Sequence, residues 1–224
     1  MTSFADFDGV FRVRRAEPKS PIGLGPKRIV DVVLAISGII ILAPLLLICF
    51  VATIATSSGP ALFRHKRVGF NGKHFDCLKF RTMVTDAPKR LRQVLDSDPA
   101  AAAEWAATRK LRFDPRVTAI GAILRRSSLD ELPQLFNVLK GDMSIVGPRP
   151  VTDEELERYA GYVGAYLACR PGITGLWQVS GRSRTSYEER VAFDAQYAQT
   201  WSMALDAKIM IVTIPSLLVP DTAC

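Results

Sequence analysis

The sequence predicts an α+β protein, mainly helical, in which a membrane helix leads into a domain carrying one small β-hairpin. Three observations carry this. An almost unbroken apolar run fills Ile29 to Thr56. Asn71-Gly72 lies between two segments rich in aromatic and β-branched residues, the signal for a tight hairpin. Three Ser/Thr-x-x-Glu patterns, starting at Ser128, Thr152 and Ser186, read as capping boxes at helix starts.

Composition narrows the classes. A chain of 224 residues with 48% hydrophobic residues can bury a core, and its balance of 29 Lys+Arg against 22 Asp+Glu, +7, favours anionic partners. Nucleic acid, acidic lipid headgroups and phosphorylated substrates all satisfy that charge. Cys49, Cys77, Cys169 and Cys224 are scattered, with no CxxC pair, which argues against a zinc site and a disulfide framework and suits a reducing compartment. His65 and His74 are the only histidines, and neither sits beside a nucleophile motif, so any acid–base chemistry falls to carboxylates.

Taken in order, residues 1–24 form a weakly ordered arm of mixed charge with Pro and Gly. They are not a signal peptide, because the apolar run that follows is too long and lacks a small-residue cleavage site. As one helix that run would be ~42 Å long against a hydrocarbon core of ~30 Å, which makes 25–58 a membrane segment. Asp31 is its one charge, and Pro44 breaks it near the middle. Arg12, Arg14, Arg15, Lys19, Lys27 and Arg28 precede it; Arg64, Lys66, Arg67, Lys73, Lys79 and Arg81 follow. This tie gives no inside or outside preference. It is what a helix re-entering one leaflet shows, and a tilted full span is the competing topology. The remaining 59–224 reads as one cytosolic domain. Ala61–Val68 and Lys73–Phe80 form the hairpin. Pro88 and Pro99 start solvent-facing helices in the Ala-rich stretch 86–110. A helix over Pro115 to Arg126 presents Ile120, Ile123 and Leu124, and a second opens at Ser128, buries Leu132, Leu135, Phe136 and Leu139, and stops at Gly141. Helices follow near 153–168 and 187–203, separated by the Gly-rich loop RPGITGLWQVSGR. The stretch 204–219 reads as an interfacial amphipathic helix.

The candidate chemistry lies between Asp114 and Pro150. Adjacent helical residues point ~100° apart, so Asp130 and Glu131 suit two jobs rather than one shared proton. A helix N-terminus lowers a carboxylate's pKa and attracts phosphate. An ionised Asp130 is a candidate nucleophile toward phosphorus, Glu131 a candidate Mg²⁺ ligand, and Arg125 a bidentate phosphate grip. Acidic residues also serve as plain dipole partners in a first helical turn, and that reading stands beside this one. Gly147-Pro148-Arg149-Pro150 is a rigid turn presenting Arg149. The loop from Arg170 to Arg182 offers two more arginines for a second phosphate, with Trp177 and Gln178 for a sugar or base.

Three series, KFRTM at 79–83, DPRVTAIGAILRRSSLDELPQLFNVLKGDMSIVGPRP at 114–150 and PGITGLWQVSGR at 171–182, occur in this order. Together they resemble the bacterial sugar transferases, the single-membrane-helix polyprenyl-phosphate phosphoglycosyl transferases, over roughly 25–220. The short N-terminal arm makes the chain most similar to the hexose-1-phosphate (galactose or glucose) transferases that initiate exopolysaccharide synthesis. The resemblance implies a re-entrant helix broken at proline, here Ala43-Pro44 where some members carry Ser-Pro. It implies Asp130 and Glu131 as the catalytic dyad, Arg125 near bound phosphate, and Mg²⁺ as cofactor.

The resulting expectation is an enzyme of the bacterial inner membrane with its catalytic domain facing the cytoplasm. Its partners are a UDP-sugar, polyprenyl phosphate and membrane lipids, with no nucleic acid and with homo-oligomerisation open. Asp130 takes the sugar-phosphoryl group from the UDP-sugar, UMP leaves, and polyprenyl phosphate accepts the group. Two other classes compete: a membrane-tethered DNA-binding regulator built on a helix–turn–helix at 115–140, and a non-catalytic scaffold. The sugar itself is not encoded in any pattern above.

Overall fold

The computed structural model describes residues 20–108, 111–181 and 185–218. The first nineteen residues of the expected arm lie outside the described residues. The described residues are mainly helical, with two small two-stranded sheets, one antiparallel and one parallel.

Helix α1 spans Pro26–Thr56, with proline in its first turn where the missing N–H is no loss. Its 31 residues make it ~46 Å long. Among the described residues it is the one helix long and apolar enough to cross a membrane. It is two-faced. Lys27, Asp31, Ala35, Cys49 and Thr53 recur at helical spacing along a buried stripe, while Ile29, Ile40, Ile41, Leu47 and Ile48 are more than 60% exposed. Bare aliphatic surface of this extent marks a lipid-facing side. The break expected at Pro44 is not seen, because the helix continues through it. One proline removes one backbone bond, and the bonds of the flanking turns hold the element together.

The globular part grips α1 at both ends. Near the N-terminus Lys27 Nζ donates to Asp206 Oδ2 at 2.6 Å, and Arg28 donates to the Val138 and Leu139 carbonyls. Past the C-terminus Arg81 donates to the Ser57 and Ser58 carbonyls. Between them Asp31 Oδ1 accepts from Ser144 Oγ and the Ile145 N–H, both at 2.9 Å. The one charge of the apolar run is thus a structural tie.

Strands β1 (Leu62–Val68) and β2 (His74–Phe80) pair antiparallel, in register from Leu62↔Phe80 to Val68↔His74. Asn71 and Gly72 both take positive φ, 54° and 75°, and the Lys73 N–H closes the turn on the Phe70 carbonyl, as the dipeptide predicts. Helices α2 (Ala87–Ser97) and α3 (Pro99–Thr108) start at the predicted prolines.

Helix α4 is Ala119–Arg126, four residues shorter at its start than expected. Asp114 and Arg116 pair with each other in a turn, and the Thr118 hydroxyl caps the Gly121 N–H instead. A 3₁₀ turn, Leu129–Glu131, precedes α5 (Gln134–Lys140), which ends at Gly141 with φ 89° as predicted. The capping box at Ser128 does not form: Ser128 adopts φ 57°, its side chain caps nothing, and Glu131 bonds to Lys79. Pro133, without an N–H, separates the two pieces. Phe136 and Ile123, expected at the core, are exposed, and Val138 and Asn137 are buried in their place.

The other two capping boxes form, at Thr152 for α6 (Asp153–Glu157) and at Ser186 for α9 (Tyr187–Thr200). The helix expected over 153–168 is split, since Ala160 takes φ 45° before α7 (Val163–Leu167). The expected loop at 171–182 contains β4 (Gly172–Thr174), parallel to β3 (Ser144–Val146), and α8 (Leu176–Ser180). Helix α10 spans Met203–Leu218; it buries Asp206 and Ile209 and exposes Ile211, Val212 and Ile214, two-faced as expected.

The core is layered on α1. Ala35 packs with Phe75 and Cys77 of β2 and with Leu135, Val138 and Met143. Toward the other end, Cys49 packs with Phe80 and Leu124. The end of β2, the start of α4 and the 3₁₀ turn therefore converge along the C-terminal half of the apolar helix.

Candidate active site

The convergence brings Lys79, Thr82, Arg125, Asp130 and Glu131 together. Asp130 and Glu131 lie in the 3₁₀ turn, which Ser128 enters in the left-handed region that non-glycine residues seldom adopt. Glu131 Oε1 accepts from Lys79 Nζ at 2.6 Å, and both side chains are about one third exposed. Arg125 Nε donates to Thr82 Oγ1 at 2.8 Å. The Asp130 carboxylate bonds to no cation among the described residues, although Lys79 and Arg125 act on it through space.

Asp130 is pushed up from 3.8 to about 6. Burial is the main cause; Lys79 and Arg125 oppose it, and the neighbouring Glu131 adds to it. This corrects the expectation that a helix N-terminus lowers it. The 3₁₀ turn is too short for a developed dipole, and α5 begins only at Gln134. At pH 7 the carboxylate is still mostly ionised, and it is a stronger base than an ordinary Asp.

Of the other arginines named from the sequence, Arg149 and Arg170 are among the described residues, and they lie in separate contacts. Arg149 places its guanidinium over Trp177, 5.7 Å from the ring centroid, and Arg190 lies over the same indole at 4.9 Å. Beside them Asp194 is buried, accepts the Tyr159 hydroxyl at 2.7 Å and is pushed up to about 7, chiefly by burial. Arg170 donates to the Gly141 carbonyl at 2.9 Å, joining Arg28 on the C-terminal carbonyls of α5. Arg182 lies outside the described residues. Lys79 and Thr82 belong to the KFRTM series without being singled out in it; only their long-range bonds reveal them.

Among the described residues no three His, Cys, Asp or Glu side chains gather as a metal cage. Mg²⁺ needs none, since one or two carboxylates with waters and substrate phosphates suffice. Glu131 fits that donor set: it is accessible, and its Oε2 makes no bond among the described residues. The arrangement as a whole offers a basic carboxylate, a second carboxylate beside a lysine, and a guanidinium held by a neutral hydroxyl. That is equipment for transfer at a phosphorus atom.

Residues 23–220 match the family model for the bacterial sugar transferases. An exopolysaccharide production protein, ExoY, of Sinorhizobium fredii is 50% identical over 197 residues, 88% of this chain and 87% of its own. The undecaprenyl-phosphate galactose phosphotransferase of Salmonella typhimurium is 49% identical over 88% of this chain and 41% of its own. The UDP-glucose:undecaprenyl-phosphate glucose-1-phosphate transferase of Caulobacter vibrioides is 45% identical over 88% and 71%.

Proposed function

We propose, for a chain that belongs to the bacterial sugar transferase family, that it moves a hexose-1-phosphate from a UDP-hexose to a polyprenyl phosphate, undecaprenyl phosphate in its relatives' names, and so initiates an exopolysaccharide. The observation that carries the reading is Asp130: half-buried, raised in basicity, bonded to no cation among the described residues, and flanked by Lys79–Glu131 and Arg125.

The reaction proceeds in two displacements. An Asp130 carboxylate oxygen attacks the phosphorus that bears the sugar, the bond to the bridging oxygen breaks, and UMP leaves with that oxygen and its electron pair. A sugar-phosphoryl aspartate results. A terminal oxygen of the polyprenyl phosphate then attacks the same phosphorus and releases the Asp130 carboxylate, giving polyprenyl-diphospho-hexose. Arg125 binds phosphate oxygens and offsets charge as they crowd together. Glu131, steadied by Lys79, would hold Mg²⁺, and the metal would there neutralise phosphate charge in transfer. Arg149, whose guanidinium lies over Trp177, is a further candidate for anionic groups, and Arg170 and Arg182 complete the set named from sequence.

The protein works at a membrane. A helix of ~46 Å whose two ends are both bonded to one globular body favours attachment from one side of the membrane over a full span, which would carry one end to the far side. A lipid-bound acceptor then meets Asp130 where the core along α1 meets solvent. The donor places the domain on the cytoplasmic side of the inner membrane. Incubating the purified protein with polyprenyl phosphate, Mg²⁺ and a panel of UDP-glucose, UDP-galactose and UDP-N-acetylhexosamines tests this. Release of UMP with one or more donors is expected; none with any donor contradicts it.

A further inference from the structure

We propose that Thr82 is the positioning residue of Arg125, and that it works because its anchor is a neutral hydroxyl. The assignment rests on the reading of Arg125 as a phosphate-binding group.

Two arginines near the site are held in opposite ways. Arg116 is spent. Its Nε and Nη2 both bond to Asp114, at 2.8 and 2.6 Å, and its guanidinium lies over Trp105 at 4.9 Å. That pairing takes one edge of the fork and neutralises the charge, and although burial pushes Asp114 up, the bonds from Arg116 hold its carboxyl below the ordinary range. Arg125 is kept available. Only its Nε is engaged, by Thr82 Oγ1 at 2.8 Å, and it forms no ion pair among the described residues. Both terminal nitrogens and the full positive charge remain for a ligand, and a planar fork of this kind matches two phosphate oxygens.

The fold is built to deliver this contact. Thr82 follows β2 and is buried. Its carbonyl accepts from the Thr118 N–H at 3.0 Å, which docks the start of α4 onto it. Gly121 makes the docking close: a Cβ there would stand 2.1 Å from the Thr82 oxygen. Arg125 is four residues further along, on the same helix face, and long helical side chains lean back toward the N-terminus. Its guanidinium is thereby carried to the Thr82 hydroxyl. A carboxylate in place of Thr82 would compete with the donor's diphosphate for the same fork; an alkyl group would leave the guanidinium free to swing.

The test is a double-mutant cycle on UMP release, run with whichever of UDP-glucose and UDP-galactose the wild-type protein turns over. Thr82→Val is expected to lower kcat/KM about tenfold, the cost of one hydrogen bond to a charged group, and Thr82→Ser to stay within about twofold of wild type. Added to Arg125→Ala, Thr82→Val is expected to cost nothing further, because Thr82 acts through Arg125. Losses that multiply, or a Ser variant as impaired as Val, would make Thr82 a packing residue and overturn the assignment. No UMP from the wild-type protein would instead bring down the donor reading beneath it.

Discussion

Asp206 and Asp130 are both carboxylates set among cations, and the fold treats them differently. Asp206 ties α10 to the start of α1. It accepts from Lys27 Nζ at 2.6 Å, from the Tyr197 hydroxyl at 2.8 Å and from Trp201 Nε1 at 3.0 Å, so every lone pair that matters is used. Asp130 accepts from no cation among the described residues, and Arg125 is held by a hydroxyl instead. One carboxylate is consumed in structure, where an unmet charge would be costly. The other has no ion-pair partner among the described residues and sits in a half-buried place; burial raises its basicity, and the missing partner keeps it open to a substrate. The difference separates residues that hold this fold from residues that act.

The comparison can be broken at its active side first. Asp130→Asn should reduce transfer by about 10⁴-fold or more, as loss of a nucleophile does, while the melting temperature in detergent stays that of the wild type. The structural side responds in the reverse sense. Asp206→Ala strands Lys27 as a buried, unpaired charge and should cost roughly 3–5 kcal/mol of stability, read in denaturant unfolding; a large loss of activity at unchanged stability would contradict the division. Glu131→Gln should lower the rate by about 10²-fold, the scale of one lost electrostatic contact in a transfer site, and weaken its dependence on Mg²⁺ concentration.

Much of this fold is written locally. The Asn71-Gly72 turn, the helix starts at Pro88 and Pro99, the stop at Gly141 and the boxes at Thr152 and Ser186 depend on near neighbours and appear as read; the apolar run is helical as read, but without the break expected at Pro44. The box at Ser128 has the same pattern and fails, because Glu131 is drawn to Lys79, 52 residues away, and Pro133 interrupts the helix it would start. Distance in sequence also hides the β3–β4 pair, two three-residue strands joined across 144–172. The site is legible in the same measure. Asp130, Glu131 and Arg125 stand in one series and come together. Lys79 and Thr82 reach them only through the packing of β2 against α4, and burial, which sets Asp130's basicity, has no local signature.

The smallest effect sharpens the contrast at a third carboxylate. Asp194 is raised to about 7 by burial, with Tyr159 and Arg149 opposing. Folded protein therefore binds more protons than unfolded between about pH 4 and 7, so this group's contribution to stability is complete below that window and is lost as pH rises through it. The slope is at most about 1.4 kcal/mol per pH unit. Asp194→Asn should flatten it in melting curves taken across that range; an unchanged slope would place the titration elsewhere.

The most direct measurement is the mass of the protein itself. Incubated with its UDP-hexose and Mg²⁺, without polyprenyl phosphate, the wild-type chain should gain one hexose phosphate, located by peptide mapping on Asp130, and Asp130→Asn should gain none. UMP release in the complete reaction with no such adduct at any time, or with the adduct on another residue, would contradict the account.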